Sequence, residues 1–160
     1  VDDVVVRPAV PGDVGQLLTL QHAAWVSEAQ AHDDPHIPPL TQTLDDVLAD
    51  LGTHATFVAV HGGRLVACGR VRVADRVGHV GRLGVVPDLQ GRGLGGRMLD
   101  TVEGHAADGV DRFALFTGSR SEDNLRWYRG RGYVEVRREQ LRRRNELVHL
   151  ERVVGTGGAA

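Results

Sequence analysis

Apolar positions recur along this chain in two rhythms, short β-branched or alternating runs and longer stretches at helical spacing, and their order predicts the architecture. Val4 to Arg7 reads as a first strand, ended by Pro8 and Pro11. Asp13 is the expected N-cap of a helix whose apolar positions Val14, Leu17, Leu18, Leu20, Ala24 and Trp25 roughly follow helical spacing. From about Glu28 to Thr43 the pattern dissolves into a proline-bearing loop. Thr43 with Asp46 three residues on predicts a capped second helix over Leu44 to Leu51. Thr56 to His61 and Arg64 to Val73, joined by Gly62-Gly63, predict a hairpin. A fourth strand passes through His79 to the apolar run Leu83, Val85 and Val86. Helical spacing returns at Arg97, Met98, Leu99, Val102 and Ala106, before Gly109. Arg112 to Thr117 reads as a buried fifth strand, and Ser121 as the cap of a helix ended by Gly130 and Gly132. Tyr133 to Val136 and Leu147 to Val153 are the last strands, across an Arg-rich turn. Antiparallel runs followed by a β-α-β-α-β passage predict an α/β (α+β) fold, a mixed central sheet of about seven strands flanked by about four helices. One domain is expected over residues 1–154, with a small, flexible tail over 155–160.

Composition narrows the class. The chain has 160 residues, 41% of them hydrophobic and 25% charged, with a formal net charge of -2, which reads as a soluble globular protein and does not suggest nucleic acid as a partner. All 19 basic residues are Arg, and this complete replacement of Lys reads as the coding bias of a GC-rich genome. The single cysteine, Cys68, excludes an internal disulfide and a multi-cysteine zinc site, and sits in an apolar strand pattern that suits a buried thiol. No apolar run has the length of a membrane span and no signal peptide is visible, so the expected location is the cytoplasm, without membrane attachment.

The chemistry concentrates between His79 and Gly96. A strand is followed by Pro87, then by glycines at 91, 93, 95 and 96 that lead into a helix. Such glycines permit positive φ and close approach of a ligand to the main chain, while the first-turn N–H groups of the helix lack internal partners. Together with the helix dipole they form an anion site, most naturally for phosphate. Gly91, Gly93 and Gly96 match G-x-G-x-x-G literally. The dinucleotide reading fails because Pro87 to Gln90 separate strand from glycines, and the next strand ends at Phe116 and Thr117 without the acidic residue. A Walker A loop fails because the chain has no lysine.

What the residues do match is Q-x-x-G-x-G, as Gln90, Gly93 and Gly95, preceded by V-x-P at Val85 to Pro87 and followed by N-x-x-W-Y-x-x-x-G-Y from Asn124 to Tyr133. With the opening R-P-A-x-P-x-D from Arg7 to Asp13, the chain resembles the GNAT superfamily of acyl-CoA-dependent N-acetyltransferases over nearly its whole length. The resemblance implies acetyl-CoA as donor and a sheet splayed between strands 4 and 5. It implies that the coenzyme A pyrophosphate sits on main chain of the loop formed by Gly91, Arg92, Gly93, Leu94, Gly95 and Gly96, beside Gln90. It places the pantetheine arm along Leu83, Gly84 and Val85, with an N–H near Val85 polarising the thioester. Tyr128 matches the family tyrosine that protonates the leaving thiolate, and Ser121 and Asn124 stand where members place polar contacts to the cofactor. Dimers of identical chains are common among members.

Acetyl transfer requires a neutral amine, hence a base or a substrate that arrives deprotonated. Thr117 stands where some members carry a strand-5 glutamate. His79 falls where others carry one on strand 4, shares a face with Leu83 and Val85 by alternation, and has a reference pKa of about 6.5. The competing reading of His79 is a surface histidine. The region after the first helix, with Trp25, Glu28, His32, Asp33, Asp34 and His36, borders the acceptor pocket in the family. Its acidic character suits a cationic amine, and it offers a second source of the base. Without regular ligand spacing it is not expected to hold a metal. The expected acceptor is the primary amine of a small molecule, attacked directly in a ternary complex. The alternatives are a protein N-terminus as acceptor, or a module that binds acyl-CoA without turnover.

Overall fold

A computed structural model describes residues 3–155; beyond Gly155 the tail expected over 155–160 lies outside the described residues. Seven strands, β1 (Val5–Pro8), β2 (Ala55–His61), β3 (Arg64–Ala74), β4 (Val77–Val85), β5 (Arg112–Gly118), β6 (Val134–Gln140) and β7 (Glu146–Val153), form one sheet in the order β1-β2-β3-β4-β5-β7-β6. Only β4 and β5 pair in parallel. The helices are α1 (Val14–Ala31), α2 (Pro38–Thr41), α3 (Leu44–Leu51), α4 (Leu94–Ala106) and α5 (Glu122–Gly130). The mixed sheet expected from the sequence is therefore present, and last in chain is not last in space, because β7 enters between β5 and β6.

Local chemistry explains most element ends. Gly62 and Gly63, at φ of +58° and +76°, make the β2–β3 turn. Asp75 and Arg76 take the same left-handed region between β3 and β4 without glycine. The Thr43 hydroxyl accepts from the Asp46 N–H at 3.2 Å and the Asp46 carboxylate accepts from the Thr43 N–H at 2.8 Å, the reciprocal cap expected for α3. Two expected caps behave otherwise. Asp13 does not cap α1; its carboxylate takes both Arg7 guanidinium nitrogens, at 2.7 and 2.9 Å, and the Val10 N–H at 2.8 Å. Ser121 makes no side-chain cap to α5, because its hydroxyl is spent elsewhere. The first helix is also longer than expected. Nothing after Trp25 breaks it until Asp33 turns to φ +48°, so Glu28 lies on α1 and not in a loop.

The two faces of the sheet are read from glycines. A Cβ on Gly84 would meet the Trp25 ring of α1 at 2.5 Å, whereas one on Gly69 would meet Leu83 at 3.0 Å and Val102 of α4 at 3.5 Å. Successive strand residues point to opposite faces, so α1 covers one side and α4 the other. Leu17, Leu20, Val47, Val58 and Val66 fill one buried cluster, and Leu99, Val102, Phe113, Leu115 and Leu150 the other. On the α4 side the buried Tyr133 hydroxyl donates to Glu103 at 3.1 Å, and Arg152 closes the same carboxylate while lying over the Phe113 ring at 5.4 Å. A buried phenol and a partly buried carboxylate thereby satisfy one another.

Strand β4 contains the irregularity that matters most. Cys68 pairs with Gly84 and Arg70 with Gly81, so Gly69 faces both Arg82 and Leu83, with Arg82 at φ +46°. This is a β-bulge, one extra residue that reverses the alternation beyond it. His79 consequently lies opposite in face to Leu83 and Val85, correcting the face expected from simple alternation. It stands exposed beside its register partners Arg72 and Ala114.

Every Lys/Arg-type ion pair among the described residues is made by a guanidinium. Arg64–Asp88, half exposed on both sides, contributes little, whereas Asp13 in the Arg7 pair is 8% exposed and anchors the β1–α1 junction. The Arg7 hydrogen bond holds the Asp13 carboxyl below its usual range, against the opposing effect of burial. A folded pKa below the unfolded value gives stability that is present above the unfolded pKa and lost as pH falls through the folded one. Asp13→Asn is expected to cost about 2 kcal/mol at neutral pH. In urea titrations the wild-type and variant stabilities should converge as the pH drops below about 4; a gap that persists there would remove the charge from the explanation.

Candidate active site

Strands β4 and β5 are paired only at Val77–Arg112, Gly78–Phe113 and His79–Ala114. Beyond that register their pairing ends, and a cleft of about 720 Å³ opens along the freed end of β4, with α1, the start of α4 and α5 as its walls. The size suits a cofactor-sized ligand.

One end of the cleft is an anion cradle. Gly91 and Gly93 have φ of +75° and +82°, and a Cβ on either would meet nothing within 4 Å. The first hydrogen bond within α4 runs from the Arg97 N–H to the Gly93 carbonyl at 3.1 Å, which leaves the N–H groups of Leu94, Gly95 and Gly96 outside the helical ladder. No side chain caps this end. The residues fit a phosphate without rearrangement.

The middle of the cleft is a free strand edge. The Val86 N–H donates to the Val66 carbonyl at 2.9 Å. Hydrogen bonding alternates along an antiparallel strand, so the polar main-chain groups of the preceding Val85 point away from β3 and into the cleft. Its carbonyl accepts from Gln90 Nε2 at 3.3 Å. The side chains of Leu83 and Val85 pack against the core, so the face they offer the cleft is main chain.

The far wall is polar. The Ser121 hydroxyl lies 2.5 and 2.6 Å from the two Glu28 oxygens, and Asn124 Nδ2 donates to Glu28 at 3.2 Å. His32, on the next turn after Glu28, is buried behind it. Its Nδ1 donates to the Glu28 carbonyl at 3.0 Å and its Nε2 accepts from the Arg120 N–H at 3.3 Å, an assignment fixed by the two main-chain partners. A Cβ on Gly118 would fall 2.0 Å from His32 Nε2, so only glycine admits the ring. Tyr128 completes the wall, set edge-on between Trp127 and Tyr133. Burial, and after it the nearby Glu28 carboxylate, push the Tyr128 phenol well above its usual pKa of about 10.

The sequence model of the acetyltransferase (GNAT) family matches residues 20–133. The chain belongs to this family. Solved structures agree on the fold. The ribosomal-protein-S18-alanine N-acetyltransferase of Escherichia coli superposes at TM-score 0.79 and 15% identity, over 98% of this chain and 97% of that one. The PaiA N-acetyltransferase of Thermoplasma acidophilum, in complex with coenzyme A, gives 0.75 and 12% over 94% and 98%. A ribosomal-protein-alanine N-acetyltransferase from Brucella melitensis gives 0.74 and 16% over 93% and 99%. No curated protein sequence matches the chain.

Against the GNAT frame, the residues singled out in the sequence divide into two groups. Gln90, Gly91, Gly93 to Gly96 and Leu83 to Val85 line the cleft, as do Trp25, Glu28, Ser121, Asn124 and Tyr128. Arg92, Asp33, Asp34 and His36 are not among the lining residues; Asp34 instead accepts the His36 N–H at 2.9 Å in the turn after α1. His79 is not among them either. Partial loss of solvent around the otherwise exposed ring, then the Arg72 and Arg112 guanidiniums, hold its pKa below the usual value. Two contributors escaped the sequence reading. Trp127 lines the cleft as well as packing on the core. The Arg131 guanidinium stacks over Trp127 at 5.0 Å and fills the space where a Gly96 side chain would stand, fastening α5 to α4. Gly84, expected along the pantetheine arm, has a further role, because its missing side chain seats the Trp25 ring on β4. Gly84→Ala is therefore expected to displace Trp25 or the β4 edge. Calorimetric affinity for coenzyme A should fall at least about tenfold, a misplacement cost seen in well-oriented sites; unchanged affinity would show that the edge tolerates the ring's movement.

Proposed function

We propose that this protein transfers an acetyl group from acetyl-CoA to the primary amine of a small molecule by direct attack in a ternary complex. The observation that carries the reading is the juxtaposition, in one cleft, of an anion cradle, an inward-facing Val85 main chain and the Glu28–Tyr128 wall. Main chain of residues 91–96 would hold the pyrophosphate, and the Val85 N–H would donate to the thioester oxygen as negative charge develops there. Amine nitrogen bonds to the carbonyl carbon and the C–S bond breaks. Tyr128, whose raised pKa keeps it protonated, donates to the departing sulfur and regains a proton from the one the nitrogen sheds as the amide forms.

For the base we favour Glu28 over His79, because Glu28 lines the cleft beside Tyr128 and His79 does not. Ser121 and Asn124 orient its carboxylate, which can take up the ammonium proton of the acceptor. In this arrangement Ser121 and Asn124 serve Glu28 as much as the cofactor. The ties Glu28–Ser121 and His32–Arg120 bridge α1 to the β5–α5 loop, leaving space that suits an acceptor of limited size.

The test is release of free CoA thiol with a panel of small amines, run beside N-terminal alanine peptides because structural neighbours are named for such acceptors. Turnover confined to peptides would overturn the small-molecule acceptor, and thermal stabilisation by acetyl-CoA without thiol release would leave a binding module. Glu28→Gln and Tyr128→Phe should each lower kcat by about 10²-fold or more with little change in KM for acetyl-CoA, and His79→Ala should stay within roughly threefold of wild type. Because the Tyr128 pKa is raised, the rate should show no loss from its deprotonation up to about pH 10.

A further inference from the structure

A second chamber, of about 20 Å³, lies between α1, α3 and the sheet, lined in part by Gln21, Asp50, Thr56, Cys68, Arg70 and Arg82. One carboxylate oxygen and one amide oxygen beside it are already engaged. Asp50 Oδ2 accepts from Arg70 Nη1 at 2.7 Å and from Gln42 Nε2 at 2.7 Å, and the Gln42 carbonyl accepts from Arg82 Nη2 at 3.3 Å. Three further polar atoms, Arg70 Nε, Arg82 Nε and Thr56 Oγ1, are buried and have no hydrogen-bond partner among the described residues. A guanidinium nitrogen can only donate, so the two Nε–H groups cannot satisfy one another. Two guanidiniums also face a single carboxylate, which leaves one positive charge uncompensated in a buried place. Burial, with Arg70's like charge behind it, pushes the Arg82 pKa down to about 10.

We propose that this chamber binds one monovalent anion of halide size. The volume admits a single small occupant. An anion accepts from all three groups at once and cancels the excess charge, whereas a neutral water would leave that charge uncompensated. Arg82 is also the bulge residue of β4, so the occupant would brace the segment that turns Val85 into the cleft.

The test combines crystallography of the full chain in bromide with thermal melting. Expected are an anomalous bromide peak within reach of Arg70 Nε and Arg82 Nε, and a saturable rise in Tm of about 3 °C in chloride over gluconate at equal ionic strength. Thr56→Val, which removes one donor and keeps the shape, should weaken the chloride dependence; Arg82→Met should abolish it. If Arg82→Met does not fold, Thr56→Val alone decides. An ordered water in place of bromide would overturn the proposal. So would equal melting in chloride and gluconate, or a chloride effect unchanged in Thr56→Val, since bromide seen only in the crystal is an adventitious ion.

Discussion

The parting of β4 from β5 after three paired residues is the constraint on which the rest of the molecule depends. A parallel pair that zipped to its end would bury the Val85 main chain in the ladder and leave no cleft. Two devices hold the strands apart. The bulge at Arg82 bends β4 and re-aims everything after it, and the Trp25 ring, seated on the bare Gly84, wedges α1 against the freed edge. Main-chain groups that would be costly to bury unpaired are thereby kept for a ligand.

The two walls of the cleft are built from different physics. On the β4 side the contacts are steric and apolar, with Leu83, Val85 and Trp25 packed against the core. On the α5 side they are hydrogen bonds, from Ser121 and Asn124 to Glu28 and from Arg120 to His32. The packed wall sets the position of the main-chain donors, the polar wall the orientation of the Glu28 carboxylate, and the Trp127 and Tyr133 rings that of the phenol. The Glu28 and Tyr128 side chains are thus carried by helices, while the β4 side of the cleft offers backbone.

Much of this was legible in the chain. The Gly62-Gly63 turn, the Thr43 cap, the apolar helix from Leu94 to Ala106 and the glycine cradle all follow from local chemistry that neighbours in sequence carry on their own. The losses come from side-chain partners and backbone turns that the local hydrophobic pattern does not carry. Ser121 looks like a cap until Glu28, 93 residues away, takes its hydroxyl. Asp13 looks like one until Arg7 claims it. The Arg82 bulge has no signature, since arginine is not a residue expected at positive φ, and missing it inverted the face of His79. The exclusion of a side chain at Gly84 and Gly118 becomes visible only when Trp25 and His32 are in place.

The surface cations of this protein, paired or free, are all guanidiniums. Arginine stays protonated at any physiological pH and is a poor nucleophile, whereas a lysine ammonium can lose its proton and react. Members of the acetyltransferase family use an activated acyl donor, and a neutral amine is the group that attacks it. A lysine-free sequence offers no side-chain amine to such a donor, so acylation cannot strip a positive charge from the side chains of this protein.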